Sequence, residues 1–124
     1  MCYNQHLLKR RETMKTLTQI ACSNLKSACV EFDLSTRELA ARANISQKSV
    51  WNLLNGAHSP RLDTLEAICN CLMVSPVAAL TPDIDTGLLV SRRIPRLVKN
   101  YTNLSYNQRE QLETIIEQML ESAD

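Results

Sequence analysis

The sequence is poor in the residues that end helices or build sheets. It contains only two glycines and four prolines in 124 residues, and aromatic residues make up 4% of it. Leu, Ala, Ile, Glu and Gln are common instead, which favours an all-α fold over a sheet. No apolar run is long enough to cross a bilayer, and no apolar segment of a secretory signal follows the N-terminal charges. These absences predict a helical, cytoplasmic protein without a membrane segment.

Residues that carry catalysis or bind metals are equally sparse. The chain has two histidines, no glycine-rich phosphate loop and no recognisable nucleophile motif, so we expect no enzyme, no cofactor and no small-molecule substrate. Cys69, Cys71 and His58 come nearest to a metal site, but helical residues two positions apart point to different sides. The five cysteines are odd in number and lie mostly among apolar residues, which predicts reduced thiols rather than disulfides or metal ligands.

The charge is unevenly distributed along the chain. The net charge is only +1, yet residues 1–103 contain 13 basic and 8 acidic residues, whereas residues 104–124 contain one Arg and five acidic residues. A basic part that binds a ligand, joined to an acidic tail, would have this pattern, and so would ordinary solvated surfaces. The split therefore decides little without further features.

Apolar periodicity and turn residues divide the chain into four parts. Residues 1–14 form a polar, basic arm, residues 15–80 contain five amphipathic segments, and residues 81–91 have the composition of a linker. The buried stripes of residues 15–80 include Leu17, Phe32 and Leu62. A hydrophobic fraction of 44% is sufficient for one buried core.

Residues 92–124 are predicted to form a helical hairpin. Their last segment carries an apolar stripe that is too large for a lone surface helix, and it consists of Leu112, Ile115, Ile116, Met119 and Leu120. The hairpin can pack on its own domain or pair with a second copy. We expect homodimerisation through about residues 92–122, because an exposed apolar stripe of this size is typical of an interaction surface.

The second and third amphipathic segments are joined by an unusual turn. Ser35 or Thr36 can cap the second segment, and Glu38 lies where a capping-box acid would lie. Asn44 ends that segment, and Asn tolerates the left-handed conformation better than most residues. Two short helices joined by a single left-handed residue must cross steeply.

The third segment, residues 46–55, begins directly after this turn. Ser46 can cap it, Ile45 can fill the space beneath the turn, and Val50 and Leu53 can anchor it to the core. Its first turn then stands clear of the surface in a shape that fits the major groove of B-DNA. The local pattern therefore predicts DNA binding through residues 46–55.

These residues resemble the Cro/cI-type (XRE-like) helix-turn-helix of phage and bacterial repressors. The resemblance covers roughly residues 17–80, and only Asn44 departs from it, since the family usually has Gly there. It implies a five-helix lambda-repressor-like DNA-binding domain, here followed by the hairpin. The positions that carry it are Leu39, Ala40, Ala43, Asn44, Ile45, Ser46, Val50, Leu53, Asn55, Gly56, Ser59, Pro60, Arg61, Leu62, Leu65, Ile68 and Leu72.

The resemblance also implies which side chains meet double-stranded DNA. Those expected at base edges are Gln47, Lys48, Ser49 and Asn52, and those expected at the phosphate backbone are Thr36, Arg37, Ser46, Asn55 and Arg61. Gln and Asn can pair bidentately with adenine, and Lys can donate to guanine. The implied function is a transcriptional regulator, most simply a repressor that binds its operator as a dimer.

Two other functions stay open. An antitoxin would use the same domain to repress its own operon and the hairpin to hold a toxin, and a pure interaction module would keep the fold without binding DNA. Trp51 and Leu54 favour the latter, because they point partly outward if Val50 and Leu53 point inward. We expect the loop 57–60 or residues 88–124 to cover this pair; the alternatives are a partner subunit or the sugar-phosphate surface.

Overall fold

The computed structural model describes residues 15–123, so the basic arm predicted for residues 1–14 lies outside the described residues. Within residues 15–123 there is no strand, which confirms the all-α prediction. None of the described helices is both long and apolar enough to cross a bilayer. The helices are α1 (Leu17–Glu31), α2 (Thr36–Ala43), α3 (Gln47–Leu54), α4 (Leu62–Leu72), α5 (Pro76–Ala79), α6 (Thr86–Val90), α7 (Arg93–Thr102) and α8 (Tyr106–Ser122).

Short polar residues cap most of these helices as the sequence predicts. The Ser35 hydroxyl accepts a hydrogen bond from the Glu38 N–H at 3.1 Å and caps α2. Ser105 and Gln108 form a capping box at the start of α8, in which each side chain accepts from the other residue's N–H. Each cap satisfies an N–H group that has no partner inside its helix.

One core joins α1 to the helices that follow it. α1 packs against α3, α4, α5 and α6, and α2 packs against α3 and α4. The largest fully buried side chains are Leu25, Leu39, Leu53, Ile68, Leu89, Val50 and Cys69. Val50 and Leu53 are therefore inward as predicted, and they fix α3 to the rest of the domain.

A buried amide links the two ends of this core. The Asn24 side chain on α1 donates hydrogen bonds to the carbonyl oxygens of Ala79, at 2.8 Å, and Thr81, at 3.0 Å. These carbonyls lie at the C-terminal end of α5, where a helix leaves its last acceptors without internal partners. Asn24 thus holds the end of α5 against α1.

Some residues at helix ends are exposed although the periodicity predicts them to be buried. Leu62, the first residue of α4, is 82% exposed, and Leu17 and Phe32 are also exposed. Each lies at or just beyond the end of its helix, where the surrounding residues leave much of the side chain open to solvent. The apolar periodicity identifies which face of a helix is apolar, but it does not show how far along that face other residues pack against it.

Residues 81–91 contain a helix where the sequence predicts a linker. Asp85 caps α6 by accepting from the Leu88 N–H at 2.9 Å, and Leu89 is only 1% exposed. α6 packs against α1, so this segment completes the core. The prediction failed here because Pro82, Asp83 and Gly87 dominate the composition, whereas one leucine determines the packing.

Residues 92–123 are largely helical as predicted, but α7 and α8 meet at a corner and do not pack extensively along each other as a hairpin would. α7 packs against α5 and α6, and the Arg109 guanidinium of α8 donates to the carbonyl oxygens of Tyr101, at 3.1 Å, and Thr102, at 2.7 Å. The Tyr101 hydroxyl donates to the Glu113 carboxylate. Beyond this corner, α8 has no extensive contact with another helix of residues 15–123.

Candidate nucleic-acid interface

The turn between α2 and α3 has the predicted left-handed residue. Asn44 has φ 57° and ψ 46°, and the following N–H, that of Ile45, donates to the Ala40 carbonyl at 3.1 Å. This bond closes the end of α2 in the manner of a left-handed helix cap. Ile45 is half-buried against the core, and buried Ala40 lets α2 and α3 approach closely.

The first turn of α3 is capped by the preceding residue, Ser46, and is open to solvent. The Ser46 hydroxyl accepts from the Ser49 N–H at 3.1 Å and lies 2.8 Å from the Ser49 hydroxyl. Gln47 and Lys48 follow the cap with exposed side chains. The helix therefore presents two long polar side chains and first-turn N–H groups, which attract anions.

The outward face of α3 is bordered on one side by the loop before α4. Ser49 and Asn52 are half-buried and line a shallow groove of about 150 Å³ together with His58, Ser59 and Arg61. Lys48 lies one helical turn before Asn52, on the same face. The structure thus brings Arg61 beside two of the side chains predicted to meet base edges.

The other side of α3 borders a second groove, shared with α1. This open groove of about 510 Å³ is lined by Trp51 of α3, Asn55 just after α3, Thr36 of α2 and Lys26 of α1, among others. Asp33 also lines it, so the groove contains one cation and one anion. Two of the predicted backbone residues, Thr36 and Asn55, therefore meet on the flank opposite Arg61.

Trp51 and Leu54 have different surroundings. Leu54 is buried against α1, where the Cys22 thiol donates to the Leu54 carbonyl at 2.6 Å. Trp51 is 53% exposed, and neither the loop 57–60 nor residues 88–123 line its groove. The expected cover is thus absent from the described residues around Trp51, because α1 covers Leu54 and stops short of the indole.

The cations of this surface differ in their partners. Arg61 and Asp63 form an exposed ion pair at 3.2 Å, whereas Arg37, Lys26 and Lys48 have no ion pair within residues 15–123. Exposed pairs of this kind contribute little to stability. Sequence reasoning missed Lys26, which α1 carries toward the second groove; only the exposed tryptophan hinted at a functional flank there.

The thiols and histidine considered as metal ligands do not form a cluster. No group of three potential ligands occurs in residues 15–123, and Cys69 lies in the core while His58 lies at the first groove. Burial raises the pKa of the Cys69 thiol to about 11, and burial also raises the pKa of Cys29. Both thiols are therefore protonated core residues.

Comparison with known families agrees with this geometry. Residues 24–77 match the family described as Cro/C1-type HTH DNA-binding domain. The match extends from α1, through α2, Asn44 and α3, to α5, and so includes both flanks of α3. Comparisons with curated proteins and with solved structures gave no match.

Proposed function

Residues 24–77 match the family described as Cro/C1-type HTH DNA-binding domain, and from this premise we propose that the chain is a sequence-specific transcriptional repressor. The observation that carries the proposal is the exposed first turn of α3, which directly follows the left-handed Asn44. A capped helix whose first turn is open to solvent can enter the major groove, which is about 12 Å wide.

In this proposal the outward face of α3 reads the bases. Gln47 and Asn52 can pair bidentately with adenine, and Lys48 can donate to guanine N7 and O6. The Ser46 hydroxyl donates to the Ser49 hydroxyl oxygen at 2.8 Å. The Ser49 hydroxyl proton therefore remains available to donate to a base. Their exposed or half-buried positions along two turns of α3 support this assignment.

The two flanking grooves then face the two phosphate strands. Arg61 contacts the phosphates of one strand from the α4 side. On the α2 side, the phosphates of the other strand are contacted by Thr36, Arg37 and Asn55. Ser46 adds the N-terminal end of α3, where N–H groups favour phosphate oxygens. Contacts of this kind position the protein without reading sequence and make its affinity salt-dependent.

We further propose that the protein binds its operator as a homodimer through the C-terminal helices. The exposed apolar stripe of α8 supports this, since Ile115 is 51% and Met119 67% exposed. Two half-sites about one helical turn of DNA apart would then be read by two α3 helices. The protein acts in the cytoplasm in this proposal, by binding rather than by catalysis.

Selection of bound duplexes from a random pool tests the function directly. We expect an enriched, pseudo-palindromic sequence, and fluorescence anisotropy should then give a lower Kd for it than for scrambled duplex. If the protein co-purifies with a toxin bound to α8 and still binds its operator through α3, the antitoxin alternative is correct. Failure to bind any duplex, even at low salt, would contradict the proposal and favour a pure interaction module. A DNA-binding protein keeps its nonspecific phosphate contacts at low salt and would still bind.

A further inference from the structure

The apolar stripe of α8 is bordered by acidic side chains. α8 has four glutamates, at positions 110, 113, 117 and 121, and one cation, Arg109. Glu113 and Glu117 lie one turn from Ile116 and Leu120, so charge and apolar surface run side by side. Arg109 is already held at the end of α7 by the Tyr101 and Thr102 carbonyls and by the Tyr101 ring, 5.3 Å away.

A groove elsewhere on the molecule has the opposite character. It lies where the C-terminal ends of α1 and α4 meet α6, and it has a volume of about 430 Å³. Phe32, Met73 and Val90 give it apolar walls, with Phe32 and Met73 exposed to solvent. Arg42 and Arg92 also line it. We call it the Arg42–Arg92 groove.

The charge of this groove is unbalanced. Arg42 and Arg92 make no ion pair within residues 15–123, and no carboxylate lines the groove. Arg92 also begins a run of exposed cations that continues along α7 with Arg93, Arg96 and Lys99. The groove and the adjacent helix therefore combine exposed apolar side chains with uncompensated positive charge, a surface that would receive an acidic amphipathic helix.

From this complementarity we propose that α8 of one copy docks in the Arg42–Arg92 groove of a second copy, and that the reciprocal contact closes a two-fold dimer. The inference deepens the dimerisation proposed above and rests on it, but it does not depend on DNA binding. Side-by-side pairing of two α8 helices through their apolar stripes is disfavoured, because it brings Glu113 and Glu117 of both copies together without free cations. Reciprocal docking instead pairs opposite charges twice and buries two apolar stripes.

Charge reversal on each side tests the contact in the full-length chain. We expect the wild type to be dimeric in sedimentation equilibrium, and both E113K/E117K and R42E/R92E to raise the dimer Kd by about tenfold or more. The double substitution N107K/T114K, on the opposite side of α8, is the matched control and should leave the Kd near the wild-type value. Circular dichroism melts verify that each variant folds.

Mixing the two charge-reversed variants gives the decisive result. In an equimolar mixture each reversed α8 meets a reversed groove and each native α8 meets a native groove, so a heterodimer should form with near wild-type Kd. A dimer that is not weakened by R42E/R92E would overturn the proposal in favour of α8 self-pairing, whatever the effect of E113K/E117K. A monomeric wild type would also overturn it.

DNA binding is measured on the same samples to separate the two hypotheses. A wild-type dimer that binds no duplex would refute the proposed function and leave the docking result intact. Conversely, DNA binding by a wild-type monomer, or by a dimer insensitive to the groove substitutions, would refute the docking and leave the DNA-binding function intact.

Discussion

The Arg61 guanidinium lies 3.2 Å from the Asp63 carboxylate at the edge of the groove that borders α3. Both side chains are largely exposed, so water screens the pair and the arginine can exchange its partner for a phosphate. If Arg61 contacts a phosphate as proposed, Asp63 competes with DNA for it. This competition gives two substitutions with opposite effects on affinity.

We predict that R61A weakens binding to every duplex about equally, and that D63N strengthens it. In R61A, loss of one phosphate contact should also reduce the magnitude of the slope of log association constant against log salt concentration by about 1. Fluorescence anisotropy over a salt series measures both effects, and E66Q, which removes an exposed carboxylate without an ion pair from the same helix, is the control for D63N. A change of sequence preference in R61A would contradict a purely backbone role.

We predict that Q47A changes which sequences are bound. Gln47 is the exposed first residue of α3, where a lost bidentate contact removes discrimination at one base pair, about 1–3 kcal/mol. Selection from a random pool, run in parallel with wild type and with Q111A on α8, should show relaxed preference at one position of each half-site. Equal weakening on all duplexes would show that Gln47 does not read a base.

Those features of the site that depend on local chemistry could be predicted from the sequence. Ser35 caps α2, Asn44 turns left and Val50 is buried, as the sequence predicted, because each depends on residues within about one turn of itself. The exposed first turn of α3, which the proposed function uses to read bases, follows from the same local rules.

Features that depend on packing between distant segments could not be predicted. Residues 81–91 looked like a linker, but Leu89 enters the core because α1 offers it a surface. Asn24 interrupts an apolar stripe, yet it is buried because the end of α5 supplies two carbonyl acceptors. Lys26 joined the interface only through the position of α1.

We predict that N44A destabilises the domain and N44G does not. Asn44 has φ 57°, a conformation that costs alanine about 1 kcal/mol and glycine almost nothing. Urea denaturation followed by circular dichroism measures the difference, with N70A as control because Asn70 is an exposed residue within α4. If N44A and N70A behaved alike, the left-handed turn would not limit stability.

We predict that DNA changes the fluorescence of Trp51. It is the only tryptophan in the chain and is half-exposed between Thr36 and Asn55, two residues assigned to the phosphate backbone. Saturation with operator duplex, monitored independently by the anisotropy of labelled DNA, should alter its emission, and W51F supplies the background. Unchanged emission at saturation would show that the groove around Trp51 does not contact the bound DNA.

We predict that the two buried thiols make stability fall at high pH. Burial raises the pKa of Cys69 from an ordinary value of 9.0 to about 11 and raises that of Cys29 as well, so the folded chain keeps protons that the unfolded chain releases. Unfolding is therefore favoured as the pH rises above 9, and the stabilising contribution of Cys69 is lost through about pH 11.

The measurement is the free energy of unfolding from pH 8 to pH 11, compared with C69A. Other groups also titrate in this range, so the difference between wild type and C69A isolates the thiol. We expect wild type to lose about 1–2 kcal/mol more than C69A across the range. Parallel curves for wild type and C69A would mean that the Cys69 thiol ionises as readily in the folded chain as in the unfolded one, and hence that water reaches the core between α1 and α4.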